Sequence, residues 1–317
     1  MEPTQHGALT HACSLAVLTH LNLSHNPSIG PDEPEWRQMH HMVLSEAART
    51  VIDMAKVTNT PDVLVGFDTE TSGLSDDAQI VTASVVTLNK EGETLESKSW
   101  LLQPIVEFDP GAVEVHGVTE AHATRNGQDH KQGVIEIADY LAEQNAQGNY
   151  LVAYNAAYDF TRISVELNRY RKPVPEFTHI LDPMVLDKEY RRYAKGRRRL
   201  VDVSEVYGCP LSDDDAHDAL ADAVAAVNVM FKMFERIEGT NPEALRAQKE
   251  WNTAKIQDAL MLDYSTPEGA AEIIRLQQEY YKRQRISMEQ YLRRVKNDES
   301  IELNTQWPIE PLPGINI

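Results

Sequence analysis

The chain has 317 residues, of which 49 are acidic and 30 basic, and a formal net charge of −19. This acidity argues against a protein held on nucleic acid by its overall charge, although a set of metal-binding carboxylates would also make an enzyme acidic. Only two cysteines occur, and they do not form a CxxC pair. We therefore expect neither a disulfide framework nor a thiolate zinc site, and we expect a cytoplasmic location. The start of the chain lacks a basic signal-peptide region, and we expect no membrane association because no apolar run reaches about 18 residues.

Residues 1–60 form the first of three zones, an N-terminal extension of unassigned function. Apolar residues at helical spacing predict one helix from Asp32 to Lys56. Six of the 11 histidines lie in this zone, at spacings that match no standard ligand pattern: His6, His11, His20, His25, His40 and His41. We interpret them as solvated polar residues.

Residues 61–238 form the second zone, in which strand patterns are followed by alternating helices and strands. Four apolar or alternating runs predict strands at 62–68, 79–88, 94–103 and 150–155. Helical periodicity predicts helices at 134–144, 158–170 and 216–235. Three adjacent strands followed by alternation of the two element types predict an α/β domain, with a mixed sheet flanked by helices.

Residues 239–317 form the third zone, which is rich in Gln, Glu, Lys and Arg. Its apolar spacing predicts a helical hairpin broken around residues 265–267, where the sequence reads Ser-Thr-Pro. The final residues are rich in proline and are expected to be extended.

Asp68 and Glu70 follow the apolar run of the first predicted strand. Residues two apart in a strand point to the same side, so these carboxylates should converge while Thr69 faces away. Converging carboxylates favour a cation between them, and hard oxygen ligands suit Mg²⁺ or Mn²⁺. The alternative is an ordinary surface turn after a strand. A second Asp-x-Glu, at 187–189, is interpreted as a solvated face.

Asp159 is the first charged residue after the strand at 150–155. It lies at a predicted junction between that strand and a helix, and Asn155 at the strand end would face the same cleft. The alternative interpretation is an acid at a helix N-terminus, which is favourable beside the helix dipole.

His217 and Asp222 lie at the predicted start of the helix at 216–235. A five-residue step rotates by about 140° on a regular helix, so the two side chains can meet only if His217 precedes the helix or lies in its first turn. The three aspartates at 213–215 are residues that commonly cap helices, which makes this placement natural. Histidine titrates near neutral pH and is suited to deprotonating a metal-bound water. The alternative is an acidic helix start with an exposed histidine.

A basic segment, KEYRRYAKGRRR (188–199), contrasts with the acidity of the rest of the chain. Tyrosines are interleaved with its basic residues, a combination that suits backbone contact and base stacking on a single strand. The alternative is a solvated basic loop. The candidate contacts to a nucleic-acid backbone are Arg191, Arg192, Lys195, Arg197, Arg198 and Arg199.

Four segments together resemble the DEDDh (DnaQ-like) family of 3′–5′ exonucleases, which includes the proofreading epsilon subunit of bacterial DNA polymerase III. They are GFDTETSGL (66–74), EVHGVTEAHA (114–123), LVAYNAAYDF (151–160) and AHDALADA (216–223), in the family's order. The third zone is similar to the tail of actinobacterial members. The resemblance implies a ribonuclease H-like fold for residues 61–238.

The same resemblance implies hydrolysis with two Mg²⁺ or Mn²⁺ ions. Asp68, Glu70, Asp159 and Asp222 would hold the ions, and His217 would act as the general base. The products would be nucleoside 5′-monophosphates, released from the 3′ end of single-stranded DNA.

Four further residues match segments that contact the substrate in this family: Thr71, Leu74, His116 and Asn155. Relatives often carry a glutamate five residues before the histidine of the second segment, where this chain has Gly111. The expected partner is nucleic acid with a free 3′ end, DNA rather than RNA, together with a DNA polymerase in replication or repair. The alternatives are a ribonuclease that trims RNA ends or short oligoribonucleotides, and a non-catalytic nucleic-acid-binding or polymerase-binding module.

Overall fold

The computed structural model describes residues 60–211, 217–239 and 250–312. The helix predicted at 32–56, the histidines of the first zone and the aspartates at 213–215 lie outside the described residues. Within the described ranges, no helix is both long and apolar enough to cross a membrane.

The strands of the described ranges form one sheet in the order β3-β2-β1-β4-β5. Strand β2 is antiparallel to β1 and to β3, whereas β4 is parallel to β1 and β5 is parallel to β4. The predicted mixed sheet is therefore confirmed. The strands span Val63–Thr71 (β1), Ile80–Asn89 (β2), Thr94–Leu101 (β3), Tyr150–Val152 (β4) and Ile180–Leu181 (β5).

Helices cover both faces of this sheet, and every helix predicted within the described residues is present. The short helices α1, α2, α5 and α6 escaped prediction because one or two turns are too short to show a helical period. The helices span Pro110–His116 (α1), Glu120–Asn126 (α2), His130–Ala146 (α3), Ala156–Arg169 (α4), Pro183–Tyr190 (α5), Leu200–Tyr207 (α6), Ala219–Gly239 (α7), Thr253–Leu260 (α8) and Pro267–Lys296 (α9).

Strand β1 is sandwiched between α7 and α4, and its side chains alternate between them. The ring of Phe67 packs edge-on against Phe160 of α4, with 5.7 Å between ring centroids. Gly66 faces α7 so closely that a Cβ atom there would lie 2.6 Å from the carbonyl oxygen of Ala223. Even-numbered positions of this stretch of β1 therefore face α7, and odd-numbered positions face α4.

The strand boundaries differ from the sequence prediction at two places near the sheet edge. Strand β1 continues through Thr71, so Asp68 and Glu70 lie within the strand rather than after it. Strand β4 ends at Val152 because the chain turns at Asn155, whose φ of 69° is in the left-handed region, and α4 begins at the next residue.

Two C-terminal helices separated by a break at 261–266 confirm the predicted helical region. Thr266 caps α9 by accepting a hydrogen bond from the Gly269 amide at 3.1 Å, and Pro267 occupies the first turn, where its missing amide hydrogen costs nothing. Both α8 and α9 pack against α5.

The interpretation of residues 187–189 as a solvated face is wrong. Asp187 is 0% exposed and Glu189 is 4% exposed. Asp187 forms ion pairs with Arg198 at 2.7 Å and with Arg191 at 3.2 Å, and Glu189 pairs with Arg283 of α9 at 3.1 Å. These partners make burial of the acids tolerable, and one of them comes from a distant helix that the local pattern cannot indicate.

Candidate active site

The candidate site lies at the edge of the sheet where β1 and β4 end. These strands are parallel neighbours, so their carboxyl ends meet at one edge. Asp68 and Glu70 lie near the end of β1, and Asp159 follows β4 in the first turn of α4. The start of α7 brings Asp222 to the face of β1 that carries Asp68 and Glu70.

The negative charges of neighbouring acids repel the carboxylates of Asp68 and Glu70. Burial raises the pKa of Asp68 well above its usual value, and the carboxylates of Asp159 and Asp222 raise it further. Burial, followed by the charges of Asp222 and Asp159, raises the pKa of Glu70 to about 8. Without a cation, this cleft therefore favours protonation of its acids.

Asp159 is only 3% exposed, and a residue on the opposite face of β1 holds it. The hydroxyl of Thr69 donates a hydrogen bond to Asp159 Oδ1 at 2.7 Å. Burial raises the pKa of Asp159 to about 7, although the Thr69 hydrogen bond acts in the opposite direction. Thr69 does face away from Asp68 and Glu70, as predicted, but its contact with Asp159 was not foreseen.

His217 precedes the helix that carries Asp222, which is the arrangement that allows the two side chains to meet. His217 has a φ of 72° and precedes α7, whereas Asp222 lies in the first turn of that helix. The backbone amide of His217 donates to Asp222 Oδ2 at 3.3 Å. One potential ligand atom from each of Glu70, His217 and Asp222 lies within 4.8 Å of the others. Because His217 lies in a left-handed turn before the helix, the ~140° separation of a regular helix does not apply to this pair.

These residues fit a divalent cation. Asp222 Oδ1 is buried and has no hydrogen-bond partner among the residues that the structure describes, which is costly for a carboxylate oxygen unless a cation binds it. Burial also raises the pKa of Asp222. A carboxylate-rich donor set with one imidazole suits a hard or borderline divalent metal.

Asp218 is part of this cleft and was missed by the sequence analysis. Its carboxylate accepts hydrogen bonds from the amides of Leu220 and Ala221, both at 3.0 Å, and so caps the start of α7. Its charge also contributes to the raised pKa of Glu70. A cap-type residue directly before the helix was the available signal.

A family model for exonucleases, RNase_T, matches residues 65–230, which is more than half of the chain. The chain belongs to this exonuclease family. The expectation of a DEDDh-type exonuclease is thereby confirmed at the level of the family. No curated protein matches the chain.

Solved exonuclease structures are similar to part of the chain at low identity. Exonuclease I from Methylocaldum szegediense is 19% identical, with a TM-score of 0.45, over 56% of this chain and 41% of its own. Escherichia coli exonuclease I in complex with a dT13 oligonucleotide is 17% identical, with a TM-score of 0.45, over 59% and 46%. The nuclease domain of 3'hExo, a DEDDh family member bound to rAMP, is 14% identical, with a TM-score of 0.47, over 56% and 94%. The chain spans less than half the length of the exonuclease I structures.

The residues predicted to contact substrate occupy different environments in this chain. Thr71 is buried, and its hydroxyl is 2.5 Å from that of Tyr158. Leu74, by contrast, is 88% exposed. His116 ends α1. Burial lowers its pKa, and the backbone carbonyl of Thr71 opposes that shift. The influence of Thr71 indicates that the imidazole lies beside the end of β1. Asn155 occupies the left-handed turn before α4.

The basic segment does not present all of its arginines to solvent. Arg191 is buried against Asp187, so its guanidinium is not available for contact with substrate, which corrects the prediction for this residue. Arg198 pairs with the same carboxylate at 2.7 Å, and Arg199 pairs with Asp202 at 2.8 Å. Three of the six candidates are thereby engaged within the protein.

The exposed part of this segment, residues 192–197, is anchored to the site edge of the sheet. Its exposed basic side chains are Arg192, Lys195 and Arg197, and Tyr193 is 67% exposed between them. The hydroxyl of Tyr154, which follows β4, donates to the Arg198 carbonyl at 2.8 Å. We call residues 192–197 the basic loop.

Proposed function

We propose that this chain is a metal-dependent 3′–5′ exonuclease that acts on single-stranded DNA and releases nucleoside 5′-monophosphates. The observation that carries the proposal is the convergence of Asp68, Glu70, Asp159, Asp222 and His217 at one sheet edge. These residues come from three separate segments of the chain, and all lie within the exonuclease match at 65–230. A structural role alone would not explain why several buried and half-buried acids repel one another there.

Asp68, Glu70, Asp159 and Asp222 would hold two Mg²⁺ or Mn²⁺ ions. When bound, such ions polarise the phosphodiester and stabilise negative charge on the departing oxygen. The carboxylates supply the negative field that holds the cations, and burial keeps that field from being screened by water. Thr69 fixes the orientation of Asp159 through its hydroxyl.

His217 would accept the proton of the attacking water. Its exposed side chain is accessible from solvent, and its backbone is held beside the cleft by the hydrogen bond from its amide to Asp222. The same proximity to Glu70 and Asp222 would also allow His217 to act as a metal ligand. These two roles make different predictions for metal binding.

The 3′ end of the strand would lie between the end of β1 and α1. The exposed Leu74 offers an apolar contact to the terminal base, and Thr71 and His116 lie at the same end of β1. The basic loop would contact the phosphates upstream, with Tyr193 available for stacking on a base. These contacts do not depend on base identity.

The test uses 5′-labelled DNA and RNA strands of the same sequence, incubated with Mg²⁺ or Mn²⁺. We expect the unmutated protein to shorten the DNA from its 3′ end and to release mononucleotides. Asp68→Asn and His217→Ala should be at least about 1,000-fold slower. Asp258→Asn, which alters an exposed acid of α8, is the matched control and should be fully active.

Three results would overturn parts of this proposal. Shortening of RNA alone would replace the DNA substrate with RNA. If neither strand is shortened, the chain is a non-catalytic nucleic-acid-binding module. If His217→Ala weakens Mn²⁺ binding as much as Asp222→Asn does, His217 is a ligand rather than the base.

A further inference from the structure

The C-terminal part of the chain reaches the candidate active site from outside the family match. We define the C-terminal strap as helix α9 (Pro267–Lys296) together with residues 297–310. The exonuclease model ends at residue 230, so no part of the strap belongs to the matched region. Nevertheless, the strap contacts the chain on both sides of Asp159.

Asp182 connects the strap to the turn that precedes Asp159. Its carboxylate is 0% exposed and accepts hydrogen bonds from the amides of Asn155 at 3.1 Å and Ala156 at 2.9 Å. Asn155 is the left-handed residue of the turn, and Ala156 is the first residue of α4. Asp182 therefore fixes the point at which the helix that carries Asp159 begins.

Two side chains of the strap contact Asp182. Gln277 Oε1 accepts a hydrogen bond from the Asp182 amide at 2.7 Å, and its Nε2 donates to the Ile180 carbonyl at 2.9 Å. The indole Nε1 of Trp307 is 3.5 Å from Asp182 Oδ2 and donates to it. Gln277 is 0% exposed and Trp307 is 4% exposed, so water cannot readily replace either contact.

A second contact lies two residues after Asp159. The Thr161 hydroxyl accepts a hydrogen bond from the Glu310 amide at 2.8 Å. The Glu310 carboxylate in turn accepts from the Tyr281 hydroxyl at 2.5 Å and pairs with Arg285 at 3.3 Å, both on α9. The strap thus contacts the start of α4 through Asp182, before Asp159, and through Thr161, after it.

We propose that Gln277 and Trp307 are positioning residues for the nuclease reaction, acting through Asp182 on the carboxylate of Asp159. Asp159 occupies the first turn of α4, so a small displacement of that turn moves its carboxylate relative to Asp68. Reactions of bound substrates are sensitive to displacements well below 1 Å. This proposal rests on the function proposed above.

The test compares Gln277→Met and Trp307→Phe, which remove hydrogen bonds while retaining most of the side-chain volume. Gln290→Met, at an exposed position of α9, and Trp100→Phe, at a half-buried position of β3, are the matched controls. We expect each strap variant to lower kcat about tenfold or more and to leave KM for the DNA strand within about twofold. The controls should change neither constant.

Two further measurements separate positioning from simple stabilisation. Calorimetric titration of the full-length variants with Mn²⁺ should show about tenfold weaker binding than for the unmutated protein. In an Asp182→Asn background, Trp307→Phe should cause little additional loss of kcat, because the path through Asp182 is already broken.

A lower melting temperature with unchanged kcat and unchanged Mn²⁺ affinity would assign the strap a structural role only and overturn the proposal. An unmutated protein that digests neither DNA nor RNA would contradict the proposed function. In that case, equal Mn²⁺ affinity of the strap variants and the unmutated protein would overturn the positioning role as well.

Discussion

Two sets of acids in this molecule have opposite electrostatic surroundings. The charge of Asp159 raises the pKa of both Asp68 and Glu70, and burial raises the pKa of all three acids. Asp187 is fully buried as well, but its carboxylate pairs with two arginines and accepts a hydrogen bond from the Tyr207 hydroxyl at 3.1 Å. Burial alone therefore does not identify a functional acid; the arrangement of neighbouring charges does.

The two sets of acids differ in whether their charges are neutralised within the protein. Asp187 pairs with Arg191 and Arg198, which flank the basic loop, and we call these three residues the framework. The cleft acids repel one another, and a cation bound from solution would relieve this repulsion. Substitutions in the two sets should therefore have opposite effects on the free energy of unfolding.

The largest expected effect is that of Asp68→Asn in the cleft. We expect the nuclease rate to fall at least about 1,000-fold, which corresponds to about 4 kcal/mol on the barrier. Without metal, stability should stay the same or rise, because one source of repulsion is removed. Single-turnover rates and melting temperatures in EDTA test both parts. A marked loss of metal-free stability would contradict the contrast.

The next largest effect should be that of Asp187→Asn in the framework. Removing this charge leaves Arg191 and Arg198 without their buried partner, and the expected loss is about 3–5 kcal/mol of unfolding free energy. Denaturant unfolding measures this loss. Asp258→Asn breaks an exposed pair and should cost less than about 1 kcal/mol. Similar losses for the two variants would remove the distinction between them.

His130 is a buried titratable residue outside both sets of acids, and it provides a pH-dependent test of the effect of burial. It is 2% exposed, its Nδ1 lies 2.8 Å from the Tyr170 hydroxyl, and its Nε2 lies 3.9 Å from the Glu166 carboxylate. Burial and the charge of Arg169 lower its pKa to about 4, although Asp129 opposes the shift.

The unfolded chain therefore takes up a proton at His130 as pH falls through about 6.5, whereas the folded chain does so only near 4. Stability from this group is present above about pH 6.5 and is lost as pH falls to about 4, by up to about 3 kcal/mol. His130→Gln should lose less stability than the unmutated protein over this range. Parallel unfolding curves at several pH values test this, and equal slopes would exclude the effect.

The smallest expected effect concerns the basic loop. Arg192→Ala and Arg197→Ala should each raise KM for single-stranded DNA by about two- to fivefold and leave kcat unchanged, because an exposed phosphate contact contributes about 1 kcal/mol or less. Each should also reduce the salt dependence of binding by about one phosphate contact. Arg275→Ala, at an exposed position of α9, is the control. An unchanged salt dependence would remove the loop from the binding surface.

Much of the fold followed from local patterns. The alternating faces of β1 and the long helices α3, α4, α7 and α9 were predicted because periods of two and 3.6 residues are properties of a local stretch of chain. The short helices and the early end of β4 were not predicted. Asn155 turns the chain in the left-handed region, and nothing in the surrounding apolar run indicates that turn.

The sequence by itself indicated five residues that could form a cleft, but it did not indicate Asp218. The separation of Asp68 from Glu70, and of His217 from Asp222, restricts their relative directions. Only the tertiary structure decided that Thr69 would hold Asp159, 90 positions away, and that Gln277 would hold Asp182, 95 positions away. Local periodicity specifies the side of an element on which a residue lies, whereas the partner it meets there depends on how distant elements pack.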